Sequence, residues 1–160
     1  MITTSQNKQI KQVVKLLKSS RERKKTGLFV IEGLRMFREI PEDRREKVFV
    51  SSDFIKEHRE ILRGISFEEV SPQVFREISD TETPQGILSL VRMEQTPISE
   101  IFKRDGNSIL LLENLQDPGN LGTLIRTGEG AGVCCVIMSK DTVDIYNPKV
   151  IRSTMGSIFR

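Results

Sequence analysis

A chain of 160 residues with 37% hydrophobic and 29% charged residues has the composition of a folded protein, sized for one domain or two small ones. No apolar run is long enough to cross a bilayer and the N-terminus shows no signal-peptide apolar core, so a cytoplasmic protein with no membrane partner is expected. The single histidine, His58, lies in the charged segment KEHRE, which leaves almost no material for a triad or zinc site; no metal is expected.

The net charge of +3 conceals an asymmetry. Lys8, Lys11, Lys15, Lys18, Arg21, Arg23, Lys24 and Lys25 face only Glu22 within residues 1–25, a local charge of +7, so the remainder carries −4. Residues 1–26 read as a basic helix or arm. Ser5 can cap a helix running to about Leu17, with Ile10, Val13, Val14 and Leu17 on one face. Lys8, Lys11, Lys15 and Lys18 fall on the other. A charge run is usually a solvated face; a stripe continued by RERKK fits phosphates better.

From Gly27 strands and helices alternate. LFVIE reads as a strand, GLRMFREI as a helix and KVFVS as a second strand. SDFIKEHREILRG reads as a helix capped by Ser52 or Asp53, ISFEEV as a strand, SPQVFREIS as a helix with Pro72 in its first turn, and QGILSLVRM as a fourth strand. This alternation over 27–93 predicts a small α/β sandwich. Glu32 and Arg35 read as a local ion pair rather than as RNA contacts.

Residues 94–107 read as a linker with one short helical turn, and 108–160 as a further unit. Ile109–Leu112 is an apolar run that predicts a buried strand, closed by the turn-rich QDPGN. Asn120 is the expected N-cap of the next helix, which carries Leu121, Leu124, Ile125, Gly128 and Ala131 on one side. Arg126 points roughly opposite, flanked by Gly122 and Gly130. Helical glycine costs about 1 kcal/mol relative to alanine, so the pair suggests a face cleared for a close approach. The bland alternative is a solvated arginine paired with Glu129. VCCVIMS predicts a second strand, its cysteines buried as small apolar residues on opposite faces. Asn147 and Pro148 then form a cap and first turn for a helix through Val150, Ile151 and Thr154. Two strands are too little for an independent core and would leave an apolar sheet face open.

NLQDPGNLGTLIRTGEGAG resembles the first signature motif of the SpoU/TrmH family of RNA ribose methyltransferases, in the wider SPOUT class. The N-x-G-x-x-x-R pattern is present as Asn120, Gly122 and Arg126, with Gly119 and Gly122 shaping the motif loop. FVIEGLR and TETPQGILSLV resemble segments of the family's N-terminal substrate-binding domain, and Arg152, Ser153 and Gly156 match its R-x-S-x-G-like pattern. The resemblance implies an α/β protein: an L30e/L7Ae-like sandwich over 27–93, then the incomplete N-terminal half of a SPOUT trefoil-knot domain over 108–160. It implies methylation of a ribose 2′-hydroxyl in RNA, rRNA ahead of tRNA, with S-adenosyl-L-methionine as cofactor. Arg126 and Asn120 take the catalytic positions, while the basic residues of the first 25 and Arg152 take substrate RNA. A guanidinium rarely gives up its proton, so Arg126 is assigned to orienting the hydroxyl or a neighbouring phosphate.

The family continues past the point matched by Arg160, through a glycine–asparagine–glutamate loop and a serine–leucine–asparagine motif that build most of the cofactor pocket. The expectation is a fragment of a longer methyltransferase, inactive alone, whose full-length form is a homodimer. Two other classes stay open. One is a non-catalytic RNA-binding module of L30e/L7Ae type. The other is a doubly wound nucleotide-binding protein using DPGNLG as a phosphate loop, which lacks both the P-loop lysine and G-x-G-x-x-G.

Overall fold

In the computed structural model, which describes residues 1–94, 96–101 and 108–160, the chain divides into two units, Met1–Met93 and Glu94–Arg160. The expected linker therefore begins the second unit, and its residues 95 and 102–107 lie outside the described residues.

The first unit is built on β1 (Leu28–Glu32), β2 (Arg45–Ser51), β3 (Glu68–Val70) and β4 (Ile87–Arg92), in the spatial order β1-β4-β2-β3. β4 runs antiparallel to both β1 and β2, and β2 pairs parallel with β3. The central β4 is buried from Ile87 to Val91, as a near-continuous apolar run requires when both faces of a strand are covered. Ile2 adds to the free edge of β3, its N–H donating to the Glu69 carbonyl and its own carbonyl accepting from Ser71 N–H.

Five helices accompany this sheet: α1 (Lys8–Lys18), α2 (Ser20–Thr26), α3 (Leu34–Glu39), α4 (Ser52–Glu57) and α5 (Pro72–Ile78). Ile10, Val13 and Leu16 of α1 join Val74, Phe75 and Ile78 of α5 over Val30, Phe49, Leu88 and Leu90 in one core. This corrects the expectation of an arm, because α1 supplies wholly buried side chains to the domain. The cap is Asn7, whose side chain accepts from Gln9 N–H, rather than Ser5. The buried face is turned toward Leu16, leaving Val14 and Leu17 partly buried at its border. Ser51, not Ser52 or Asp53, caps α4. That helix ends at Glu57; His58 leaves helical geometry and Arg59–Leu62 forms a separate 3-10 turn. Pro72 opens α5 behind a Ser71 cap, as the first-turn preference of proline predicts.

The second unit contains α6 (Ile98–Ile101), β5 (Ile109–Leu112), α7 (Pro118–Gly130), β6 (Cys135–Met138) and α8 (Pro148–Thr154), with a last 3-10 turn at Ser157–Phe159. β5 and β6 are parallel, with Leu110 opposite Val136 and Leu112 opposite Met138. Leu121, Ile125 and Val150 form the core, with Leu112, Leu115, Val136, Met138, Val143 and Ile145 packed around it. Because side chains alternate along a strand, Leu111 faces the other way and is 71% exposed. The strand expected to be buried is covered on one face. Cys134 is exposed and Cys135 half-buried, neither in a disulfide; Cys134 precedes the strand, which removes it from the core position expected for it.

Candidate functional site

The loop joining β5 to α7 is held by polar contacts as well as by Leu115, which packs on the core. Asn114 N–H donates to Ser139 Oγ, the Gln116 side-chain amide donates to Asn114 Oδ1 and to the Asp141 carbonyl, and Val143 N–H donates to the Leu115 carbonyl. The segments following the two parallel strands are thus tied together, which sets where α7 starts.

It starts earlier than expected. Asp117 is the N-cap and Pro118 the first helical residue; Asp117 Oδ1 accepts from Asn120 N–H at 2.6 Å. Proline's fixed φ suits that first position, so Asn120 falls inside the first turn instead of capping it, with its side chain exposed. Gly119 is exposed on the same turn. Arg126 lies seven residues on, at nearly the same angle as Gly119 and about 10 Å along the axis, and it is exposed.

Glu129, the expected partner of Arg126, is committed elsewhere: its carboxylate accepts from Ser157 Oγ at 3.2 Å and pairs with Arg160 Nε at 3.3 Å. Among the described residues the Arg126 side chain makes no hydrogen bond or ion pair. Its guanidinium is available to a ligand.

The cleared helix surface has two different fates. A Cβ on Gly122 would meet Ser153 Cβ at 2.3 Å and the Val150 carbonyl oxygen at 2.8 Å, so that glycine admits α8. Gly130 faces open space. Beside the Gly122 contact, Asp117, Pro118, Gly119, Lys149, Arg152 and Ser153 line a cleft of about 470 Å³. The half-buried Arg152 reaches it, as does Lys149, which sequence reading passed over although it follows the Asn147–Pro148 cap directly. Arg126 lies outside this lining.

In the first unit, Lys8, Lys11, Lys15, Lys18, Arg21, Lys24 and Lys25 are all exposed. Arg23 is not. It is 3% exposed, and its Nη1 donates to the Leu16 and Leu17 carbonyls at 2.5 and 3.3 Å. The expected phosphate contact is instead an internal clamp on the last turn of α1. The expected Glu32–Arg35 pair is also absent from the described contacts: Glu32 accepts from Ser79 Oγ, Thr81 Oγ1 and Asp80 N–H, while Arg35 is exposed. Gln85 was not singled out by sequence, yet its Oε1 accepts from Leu34 N–H at 2.8 Å and holds the start of α3.

No cluster of metal-ligating side chains is gathered among the described residues, and no described helix is long and apolar enough to cross a membrane.

Residues 7–89 match the family described as the MRM3-like substrate binding domain, and residues 107–160 the SpoU rRNA Methylase family. The chain is 33% identical over 159 residues to the 23S rRNA (guanosine(2553)-2'-O)-methyltransferase RlmP of Bacillus subtilis, covering 99% of this chain and 62% of that protein. It is 32% identical over 162 residues to the mitochondrial rRNA methyltransferase 3 of Homo sapiens, covering 96% of this chain and 39% of that one. The AdoMet-bound SpoU methyltransferase AviRb from Streptomyces viridochromogenes has a similar structure, with a TM-score of 0.82 at 26% identity over 96% of this chain and 61% of its own. The AdoMet-bound rRNA methyltransferase from Sinorhizobium meliloti gives 0.81 at 27% identity, over 99% and 61%. The chain thus spans 39 to 62% of the length of these relatives.

Proposed function

Because this chain belongs to the SpoU family of rRNA methylases and carries its MRM3-like substrate-binding domain, we propose that the full-length protein methylates a ribose 2′-hydroxyl of ribosomal RNA. The observation that carries this reading is Arg126: an exposed, uncommitted guanidinium on the helix that the motif loop opens, with the neighbouring Glu129 drawn away to Arg160. A guanidinium stays charged and offers a planar fork of donors. Arg126 is therefore suited to bind and orient the ribose hydroxyl or an adjacent phosphate, while the phosphate or a water receives the hydroxyl proton. Asn120 and Gly119 form the exposed turn against which the nucleotide rests, and Lys149 with Arg152 offers charge to a substrate phosphate.

S-adenosyl-L-methionine is proposed as methyl donor on the strength of the AdoMet-bound relatives. The cleft at Asp117–Arg152 does not fit that cofactor by itself, since its lining of Asp117, Pro118, Gly119, Lys149, Arg152 and Ser153 holds no aromatic or large aliphatic side chain to pack an adenine ring. No step is derived through the cofactor. An L30e/L7Ae-like fold for the first unit and a homodimer of the full-length protein belong to the same proposal, on the resemblance of FVIEGLR and of the motif helix. The second reading, a non-catalytic RNA-binding module, draws on the closed core of the first unit.

Arg126→Lys in the full-length protein separates the two. Methyl transfer falls at least about 100-fold, a loss of some 3 kcal/mol of transition-state stabilisation, while calorimetric affinity for S-adenosyl-L-methionine is unchanged. Near-normal turnover refutes the role of Arg126, and a wild-type protein that binds RNA without ever transferring a methyl group establishes the module.

A further inference from the structure

We propose that α1 and α2 form a docking ridge for the phosphate backbone of double-stranded RNA, gripped without regard to base sequence. This rests on the reading of RNA as the partner and extends it by naming the form of RNA and the way it is gripped.

At 100° per residue, Lys8, Lys11, Lys15 and Lys18 occupy an arc of about 80° and a line of about 15 Å. The arc is centred opposite Ile10, Val13 and Leu16, which are wholly buried. The core thus fixes the helix phase so that all four lysines point outward. On α2, Arg21, Lys24 and Lys25 share the side opposite Arg23, whose hydrogen bonds to the Leu16 and Leu17 carbonyls lock α2 onto the end of α1. The inward arginine sets the direction of the outward ones.

None of these seven outward cations has a hydrogen bond or ion pair among the described residues, whereas Lys47 bonds Gln9 and Glu68, and Lys56 bonds Asp53. Uncompensated like charge held on a rigid surface repels itself and favours a polyanion. No aromatic residue precedes Phe29, so the ridge lacks the stacking platforms by which single strands are held. A-form duplexes are recognised through shape and backbone, which a straight line of lysines can supply. A lipid surface is disfavoured because an interfacial helix must bury its apolar face in the membrane, and that face of α1 is already in the core.

The test uses this chain with a fluorescein-labelled 20-base-pair RNA duplex, a duplex of unrelated sequence, and the separated single strand, by anisotropy from 50 to 200 mM KCl. Both duplexes bind alike and at least about tenfold more tightly than the single strand. With a log–log slope of roughly −0.9 per neutralised phosphate, seven contacts give about −6, a loss of order 10³- to 10⁴-fold across that range. The K8Q/K11Q/K15Q/K18Q variant melts like wild type and flattens the slope by about 3 to 4. Arg23→Gln lowers the melting temperature and leaves the slope of the folded protein intact. Equal binding of the single strand, or a slope that survives the four substitutions, overturns the ridge. Binding of an acidic peptide in preference to either RNA also overturns it. Methyl transfer by the full-length protein is read separately through Arg126→Lys, so the ridge and the methylation reading can fail independently.

Discussion

Gly122 and Ser153 approach so closely that a methyl group on the glycine would lie 2.3 Å from Ser153 Cβ. This contact joins α7 to α8 and brings Arg152 and Lys149 beside the motif loop.

Gly122→Ala is therefore expected to destabilise the second unit by about 2 kcal/mol, because overpacking outweighs the gain in helix propensity. The Val150 carbonyl, 2.8 Å from the added methyl, is backbone and cannot move aside alone. Gly130→Ala meets nothing within 4 Å and should stabilise by about 0.5–1 kcal/mol. Scanning calorimetry of the two variants gives opposite shifts; equal shifts would contradict the close packing.

Asp117 caps α7 in place of Asn120. Asp117→Ala should cost about 1 kcal/mol as a lost N-cap. Asn120→Ala should alter stability by no more than about 0.5 kcal/mol. Denaturant titration of each variant checks the pair, and a larger cost at Asn120 would restore it as the cap.

Glu32 accepts from three donors across the Ser79–Thr81 turn. Glu32→Ala leaves the Asp80 N–H and the Ser79 and Thr81 hydroxyls without their shared acceptor, and is expected to lower stability by about 2 kcal/mol. Arg35→Gln, at an exposed position, should stay within about 0.5 kcal/mol of wild type. Equal losses from both would revive the local pair.

Cys134 is exposed and Cys135 half-buried, so a thiol reagent under native conditions should label in a fast and a slow phase. Cys134→Ala removes the fast phase and Cys135→Ala the slow one. A single phase of two thiols in wild type would show that the strand does not shield Cys135.

Much of this protein is written in local pattern. The apolar run of β4, the paired signals Ser71–Pro72 and Asn147–Pro148, and the lysine spacing of α1 each act within a few residues, and the structure realises them. The motif carrying Asn120, Gly122 and Arg126 was likewise legible as a family resemblance. The start of α7 differs from the expected one because Asp117, three residues before Asn120, caps equally well, and Pro118 between them takes the first helical position.

Other features depend on partners far along the chain. Within RERKK nothing local marks Arg23 as the inward residue; the break at Ser19 resets the helix phase, and the carbonyls of Leu16 and Leu17 then capture that one guanidinium. Glu32 is claimed by a turn almost fifty residues away, Glu129 by the last arginine, and Gly122 by α8. Sequence by itself determined which segments could become helices and strands and which family they resemble, because propensity and periodicity are short-range. Which charged groups were consumed internally and which were left for a ligand was decided only when folding brought distant donors and acceptors together.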